Sequence, residues 1–192
     1  EPIEMLAPHA IGRLVFDGVA VGPGAVLGEP NAGFRVAMRT LDLFRPSVGA
    51  FAVGMAQAAL DASVAWAGER ELFGGRLIDQ QATQHTLAEM ATRVEAGRLL
   101  VRRAAAAYDG GAPAIAITTS AAQAKLFATE TAQWVVDQAV QLHGARGLQK
   151  GHLLERLYRE VGAPRIYEGA SEVQRTIIAR GLMRGGPRKG GQ

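Results

Sequence analysis

At 192 residues, with 48% hydrophobic and 20% charged side chains, the chain can bury a sizeable core and lacks the composition of a disordered protein. A formal charge of +3, from 21 basic and 18 acidic residues, leaves no electrostatic footprint for nucleic acid. Without cysteine there is no disulfide framework, no thiolate nucleophile and no cysteine-type zinc site.

The first thirty residues are rich in turn formers. Ile11 to Phe16 and Val19 to Val21 read as two short strands around an Asp17-Gly18 turn. A lone hairpin is marginal, so residues 1–30 read as the end of an incomplete β-domain. Gly28-Glu29-Pro30-Asn31 stops the extended chain, with Asn31 a candidate N-cap. From Ala32 to about Arg70, apolar residues recur three or four apart at Met38, Leu41, Val48, Phe51, Met55, Ala59, Ala62 and Trp66. Pro46 lies inside this run. Proline suits a first helical turn, so the pattern predicts a short helix to about Leu41, a bend, and a long helix from about Phe44.

Phe73-Gly74-Gly75-Arg76 breaks the helical pattern. A second long helix is predicted from about Asp79 to Asp109, with Leu87, Met90, Val94, Gly97, Val101 and Ala104 as its apolar seam, ended by Gly110-Gly111-Ala112-Pro113. A third spans about Ala114 to His143, with Ala122, Leu126, Thr129, Val136, Val140 and His143 on one face. Gly144, Gly147 and Gly151 mark a loop; a short helix near Leu153 to Val161 and a last one from about Ser171 to Met183 follow, and residues 184–192 read as a flexible tail.

The predicted fold is mainly α, an antiparallel up-and-down four-helix bundle over residues 31–183 with a short N-terminal β appendage. Helices near 30 residues are roughly 45 Å long. Many seam positions are alanine, which lets helices approach closely but supplies little apolar area, so further burial against other subunits is expected. Charged or glutamine residues interrupt the apolar stretches, and no basic-then-apolar leader opens the chain. These features predict a soluble, cytoplasmic protein without membrane insertion.

His9, His85, His143 and His152 show no local metal-ligand spacing, and no metal site is predicted. Gly22-Pro23-Gly24 and Gly110-Gly111 are turns, since neither joins a strand to a helix as a phosphate loop does. Most of the chemical potential lies in Arg165-Ile166-Tyr167-Glu168-Gly169-Ala170-Ser171-Glu172-Val173-Gln174-Arg175. Ser171 and Gln174 have the spacing of a capping box. Glu168 is open to two readings. It is a charged loop residue beside a cap, or a partly desolvated carboxylate whose raised pKa lets it take a proton.

Four stretches, in order and spacing over about residues 10–183, carry a resemblance: Gly33-Phe34-Arg35-Val36-Ala37-Met38 running into Leu41-Asp42 and Arg45; Glu69-Arg70-Glu71-Leu72-Phe73-Gly74; Gln141-Leu142-His143-Gly144-Ala145-Arg146-Gly147; and Ile166 to Arg175. Together they resemble the C-terminal part of an acyl-CoA dehydrogenase, a flavoprotein family. The resemblance implies the end of a middle β-domain followed by a C-terminal helical bundle, assembled as a homo- or hetero-oligomer. It also implies FAD as cofactor, an acyl-CoA substrate, and electron-transfer flavoprotein or a similar acceptor. By this likeness Glu168 is the base that removes the α-proton of the thioester while the β-hydride leaves to flavin N5.

Some relatives place the base at the position of Phe44, which cannot accept a proton. The likeness puts Arg70 at the flavin pyrophosphate of a neighbouring subunit with Phe73 beside it, and Gln141, Gly144 and Ala145 at the same region from the opposite side of a dimer. Ala170 and Glu172 are implied flavin contacts. Leu41, Asp42, Phe44, Arg45, Tyr167 and Gly169 are implied around the substrate. Two positions depart from the family pattern: Ala145 replaces a common glycine, and Ala170 replaces a threonine that contacts flavin. Two other functions fit the same resemblance, a structural subunit lending interface and flavin contacts to a catalytic homologue, and an acyl-CoA-binding or scaffold protein without redox activity.

Overall fold

A computed structural model describes residues 1–185. It is mainly α. Two short strands, β1 (Pro2–Ile3) and β2 (Ile11–Gly12), pair antiparallel with Pro2 opposite Gly12 and Ile3 opposite Ile11. They precede α1 (Gly33–Glu69), the hairpin β3 (Glu71–Leu72) and β4 (Gly75–Arg76), α2 (Gln81–Asp109), α3 (Ala114–His143), α4 (Leu153–Glu160) and α5 (Ser171–Gly185). The hairpin expected around Asp17-Gly18 is not formed: of the strand expected from Ile11 to Phe16 only Ile11–Gly12 is extended and paired, with Pro2–Ile3, and Val19 to Val21 form none. Leu14, Phe16 and Val21 are all largely exposed, so this stretch has no packed face within the chain.

One helix replaces the expected pair around Pro46, because α1 runs unbroken from Gly33 to Glu69. An interior proline costs about 3 kcal/mol through its missing N–H and the clash with the carbonyl four residues back. Tertiary contacts keep the two halves in line. Asp42 accepts from Thr118 Oγ1 on α3 at 2.5 Å. Arg45, paired with Asp42 within the same helix at 3.1 Å, donates through Nε to the Glu168 carbonyl at 3.3 Å, and both Arg45 and Pro46 are buried. The N-cap differs too: Asn31 sits in the left-handed region at φ 65°, and Ala32 takes the cap position without a side-chain bond. The inward stripe of α1 includes Val48, Ala52, Ala56, Ala59, Ser63 and Ala67, whereas Phe51 turns outward toward the His9 ring.

The Phe73-Gly74 break is a two-residue turn with both residues at positive φ, 51° and 80°, the type I′ geometry that matches the twist of a β-hairpin. Gly110 caps α2 where expected, and α3 has the predicted bounds. α3 is the central helix, packed against α1, α2 and α5. Ala121, Ala122, Ala124, Ala128, Ala132 and Ala139 are essentially fully buried along it, and these small side chains bring the helix axes close together. α4 docks on the bundle through Leu154, Leu157 and Val161.

α5 extends to Gly185, two residues into the segment read as tail; residues 186–192 lie outside the described residues. The expected interruption of the apolar stretches holds in α1, where Gln57 and Asp61 break the run. Within α1 an 18-residue window reaches a mean hydropathy of 1.4 with no more than two charged residues, and half of that window is buried inside the bundle. By length and composition α1 passes for a membrane span; its packing is that of a core helix.

Candidate functional site

Glu168 lies on the short loop between α4 and α5, which is pinned at both ends. Pro164 is fully buried before it. After it, the Ser171 hydroxyl donates to Glu130 Oε1 on α3 at 2.5 Å, and Arg165 Nε lies 3.1 Å from Glu130 Oε2. Ser171 therefore does not form the expected capping box. Gln174 is likewise diverted inward: it is fully buried, and its Nε2 donates to the carbonyls of Glu168 at 3.3 Å and Gly169 at 2.9 Å. Arg45 Nε also donates to the Glu168 carbonyl at 3.3 Å, and Lys125 Nζ donates to the Gly169 carbonyl at 2.8 Å.

These donors hold an uncommon backbone. Glu168 sits at φ 52°, a left-handed conformation costing a non-glycine residue on the order of 1 kcal/mol. Gly169 follows at φ 95°, and a Cβ there would come within 2.6 Å of Gln174 Nε2, so only glycine fits. The turn aims the Glu168 side chain at a pocket of about 550 Å³ between Met5, His9 and Ile11 of the N-terminal segment and Ile166, Tyr167 and Glu168 of the loop. Glu168 Oε2 is buried without a hydrogen-bond partner among the described residues.

Burial pushes the Glu168 carboxyl above its ordinary value of 4.5, and the cations Arg45 and Lys125 pull the other way. Because the folded value is raised, the stability this group contributes is fully present below its unfolded value and is lost as pH rises through the folded one. Lys125 is pushed down to about 8, first by burial and then by Arg45. Burial raises the Tyr167 phenol, with Glu168 adding to the effect. For Glu130 burial acts upward, but the Ser171 hydroxyl and Arg165 hold it below its usual range.

A second cleft, of about 400 Å³, forms where the ends of α1 and α3 meet, with Trp66, Arg70, Gln141, Gly144, Ala145 and Arg146 along its walls. Gly144 creates it. At φ 60° and ψ −141°, a conformation almost reserved for glycine, it ends α3 and turns the chain back over α1. Trp66 Nε1 donates to the Leu142 carbonyl at 3.1 Å, locking the two helix ends. The Arg146 and Arg70 guanidinium groups lie 4.9 and 5.8 Å from the Trp66 ring centre. Neither arginine makes an ion pair among the described residues. Two cations, an amide and turn backbone make a donor set suited to a diphosphate.

The structure thus gathers Arg70, Gln141, Gly144 and Ala145 in one cleft, and Arg45, Tyr167, Glu168 and Gly169 about the other. Asp42 points toward Arg45 and Thr118. Leu41 is half-buried and Phe44 is 49% exposed, both within a turn of Arg45 on α1. Phe73, 90% exposed at the hairpin tip, lines neither cleft. Ala170 precedes α5, where its carbonyl accepts from the Gln174 N–H, and Glu172 is exposed and paired with Arg175 at 3.1 Å.

Reading the sequence did not find Lys125, Glu130, Gln174 or Arg146 as site residues. Lys125 had a signal: it interrupts the alanine stripe of α3 at a position whose helical neighbours, Ala121, Ala128 and Ala132, are all core.

The family model described as acyl-CoA dehydrogenase, C-terminal domain, matches residues 31–183. Among curated proteins, the probable acyl-CoA dehydrogenase FadE25 of Mycobacterium tuberculosis is 41% identical over 172 residues, 90% of this chain and 44% of that protein. The mitochondrial short-chain specific acyl-CoA dehydrogenase of Bos taurus is 43% identical over 172 residues, 90% of this chain and 41% of its own length. Among solved structures, butyryl-CoA dehydrogenase from Megasphaera elsdenii superposes with a TM-score of 0.92 at 36% identity, covering 96% of this chain and 48% of that one. The chain spans less than half the length of these relatives.

Proposed function

Since the chain belongs to the acyl-CoA dehydrogenase family, we propose that it takes part in FAD-dependent α,β-dehydrogenation of an acyl-CoA thioester, with Glu168 as the base. One observation carries this reading: a carboxylate held in a left-handed turn, with an unpartnered buried oxygen, faces a largely apolar pocket. FAD, when bound, supplies the acceptor for the β-hydride. Glu168 takes the α-proton. Tyr167 and Gly169 flank it, Arg45 holds its carbonyl, and Asp42 holds Arg45; Leu41 and Phe44 complete the substrate side of α1. The coverage of the relatives supports the further proposal that residues 1–30 end a β-domain and that polypeptide beyond these 192 residues, in the same protein or a partner, completes the site.

The Arg70 cleft fits the diphosphate of FAD, with Gln141, Gly144 and Ala145 as its backbone and amide wall. From Arg45 to Arg70 along α1 is roughly 37 Å at 1.5 Å per residue, further than a dinucleotide spans. The two clefts of one chain therefore serve different sites, and an oligomer is needed to bring an Arg70 cleft to a Glu168 loop. Ala170 lacks the hydroxyl common in relatives, which costs on the order of 1 kcal/mol of flavin binding and is the feature that favours a purely structural subunit. An acceptor such as electron-transfer flavoprotein would complete turnover.

Arg70→Gln is expected to weaken FAD binding about tenfold to a hundredfold, because a charge-assisted hydrogen bond contributes about 1.5–3 kcal/mol. Fluorescence titration of the assembled protein reads this directly, and unchanged affinity would remove Arg70 from the flavin site. Since only the ionised carboxylate accepts a proton, kcat/KM is expected to rise with pH through the raised Glu168 range. A profile flat through that range counts against Glu168. The reading as a whole is tested by flavin bleaching at about 450 nm on adding acyl-CoAs of graded length. Bound flavin that no acyl-CoA bleaches would overturn it.

A further inference from the structure

Lys125 stands out because a lysine is among the residues least often fully buried without a charged partner, and here its side chain is completely enclosed in the bundle. Its neighbours along the α3 stripe are alanines, and nothing in the apolar packing calls for an ammonium group. A methionine of similar length would fill the space without the desolvation cost. The use of the charge is visible at its tip: Nζ donates to the Gly169 carbonyl at 2.8 Å, 44 residues along the chain and one residue beyond Glu168.

That bond belongs to a cradle built from three helices. Arg45 of α1 and Gln174 of α5 grip the Glu168 carbonyl, and Gln174 and Lys125 of α3 grip the Gly169 carbonyl. The cradle is tight: the space where a Gly169 side chain would begin lies 2.6 Å from Gln174 Nε2 and 3.8 Å from Arg45 Nη2. Two carbonyls in consecutive positive-φ residues point into the bundle, and this is the geometry that turns the Glu168 side chain outward to the pocket.

We propose that Lys125 is a positioning residue for Glu168, fixing the Glu168-Gly169 turn from inside the bundle and supplying a positive charge behind the carboxylate. This inference rests on the reading of Glu168 as the base. In turn it assigns the cost of burying a lysine to the site. The charge opposes the burial of Glu168, so the carboxylate stays available as a proton acceptor in an apolar pocket. The other charged or titratable groups around the pair are Arg45 on α1, Glu130 on α3, and Arg165 and Tyr167 on the loop, with His9 across the pocket.

The test is a carboxyl-carbon NMR titration of Glu168 in the full chain, compared with Lys125→Met. With helix content and melting preserved, the Glu168 midpoint is expected to move up by about one pH unit, with altered Gly169 amide signals. An unmoved midpoint and unmoved loop signals overturn the proposal, since a merely space-filling lysine shifts neither. If Lys125→Met does not fold, the wild-type chain decides. Its Glu168 carboxyl signal should show a second inflection at the pH where the Lys125 Nζ nitrogen titrates, below the ordinary lysine range, and this should persist in a His9→Gln, Tyr167→Phe background. Absence of that inflection overturns the proposal. The measurement needs neither flavin nor substrate, so it remains informative if Glu168 proves not to be the base; that failure would appear in turnover alone.

Discussion

Glu168→Gln is expected to lower turnover about a thousandfold or more while flavin content and folding stay unchanged. Loss of the proton acceptor removes roughly 4–5 kcal/mol of transition-state stabilisation, whereas the amide keeps nearly the same volume. The donors that shape the turn bind main-chain carbonyls of residues 168 and 169, which the substitution leaves in place. The left-handed turn should therefore persist. A neutral amide also avoids the desolvation that raises the native carboxyl, so stability near neutral pH should hold or rise slightly. The comparison is made on the assembled protein with equal bound FAD, following flavin bleaching by acyl-CoA. Equal rates for the two proteins would remove Glu168 from the chemistry. If the chain were only a structural subunit, its partner's turnover would be indifferent to the change.

The largest expected loss of stability is at Leu154. Its side chain is fully buried where α4 docks on α3, and truncating a buried leucine to alanine costs about 2–5 kcal/mol through lost transfer energy and the cavity left behind. For a chain of this size each kcal/mol lowers Tm by roughly 2–4 °C. Leu154→Ala should therefore melt some 6–12 °C lower for about 3 kcal/mol, as read by thermal unfolding at 222 nm. Leu153 next to it is 38% exposed, and Leu153→Ala should cost much less. Equal effects of the two changes would mean that α4 is not docked as described. Because α4 leads directly into the Glu168 loop, Leu154→Ala should also loosen that loop before the bundle itself melts.

The mainly helical bundle was legible in the sequence because its evidence is local. Apolar residues three and four apart marked the seam of α2 from Leu87 to Ala104, and the glycine-proline run at Gly110 to Pro113 and the glycine at 144 bounded α3 at the predicted residues. Gly144 was legible for the same reason, as a loop marker after α3, whereas Gly169 was reached only through the family resemblance, and the structure shows both at positive φ. Glu168, by contrast, could be read from its neighbours either as a solvated loop residue or as a base.

The tertiary structure decided what depends on groups far apart in the chain. Pro46 should have bent α1, but Arg45 reaches a carbonyl 123 residues away and Thr118 holds Asp42, so the helix continues. Ser171 and Gln174 had capping-box spacing; Glu130 and the Glu168-Gly169 carbonyls captured their side chains instead. The segment around Asp17 alternated only weakly and had no surface to pack on. Periodicity assigns a residue to a face of its own helix, but the partner that face meets is a property of the assembled bundle. For that reason Lys125 was visible only as an odd residue in an alanine stripe until the fold placed Gly169 against it.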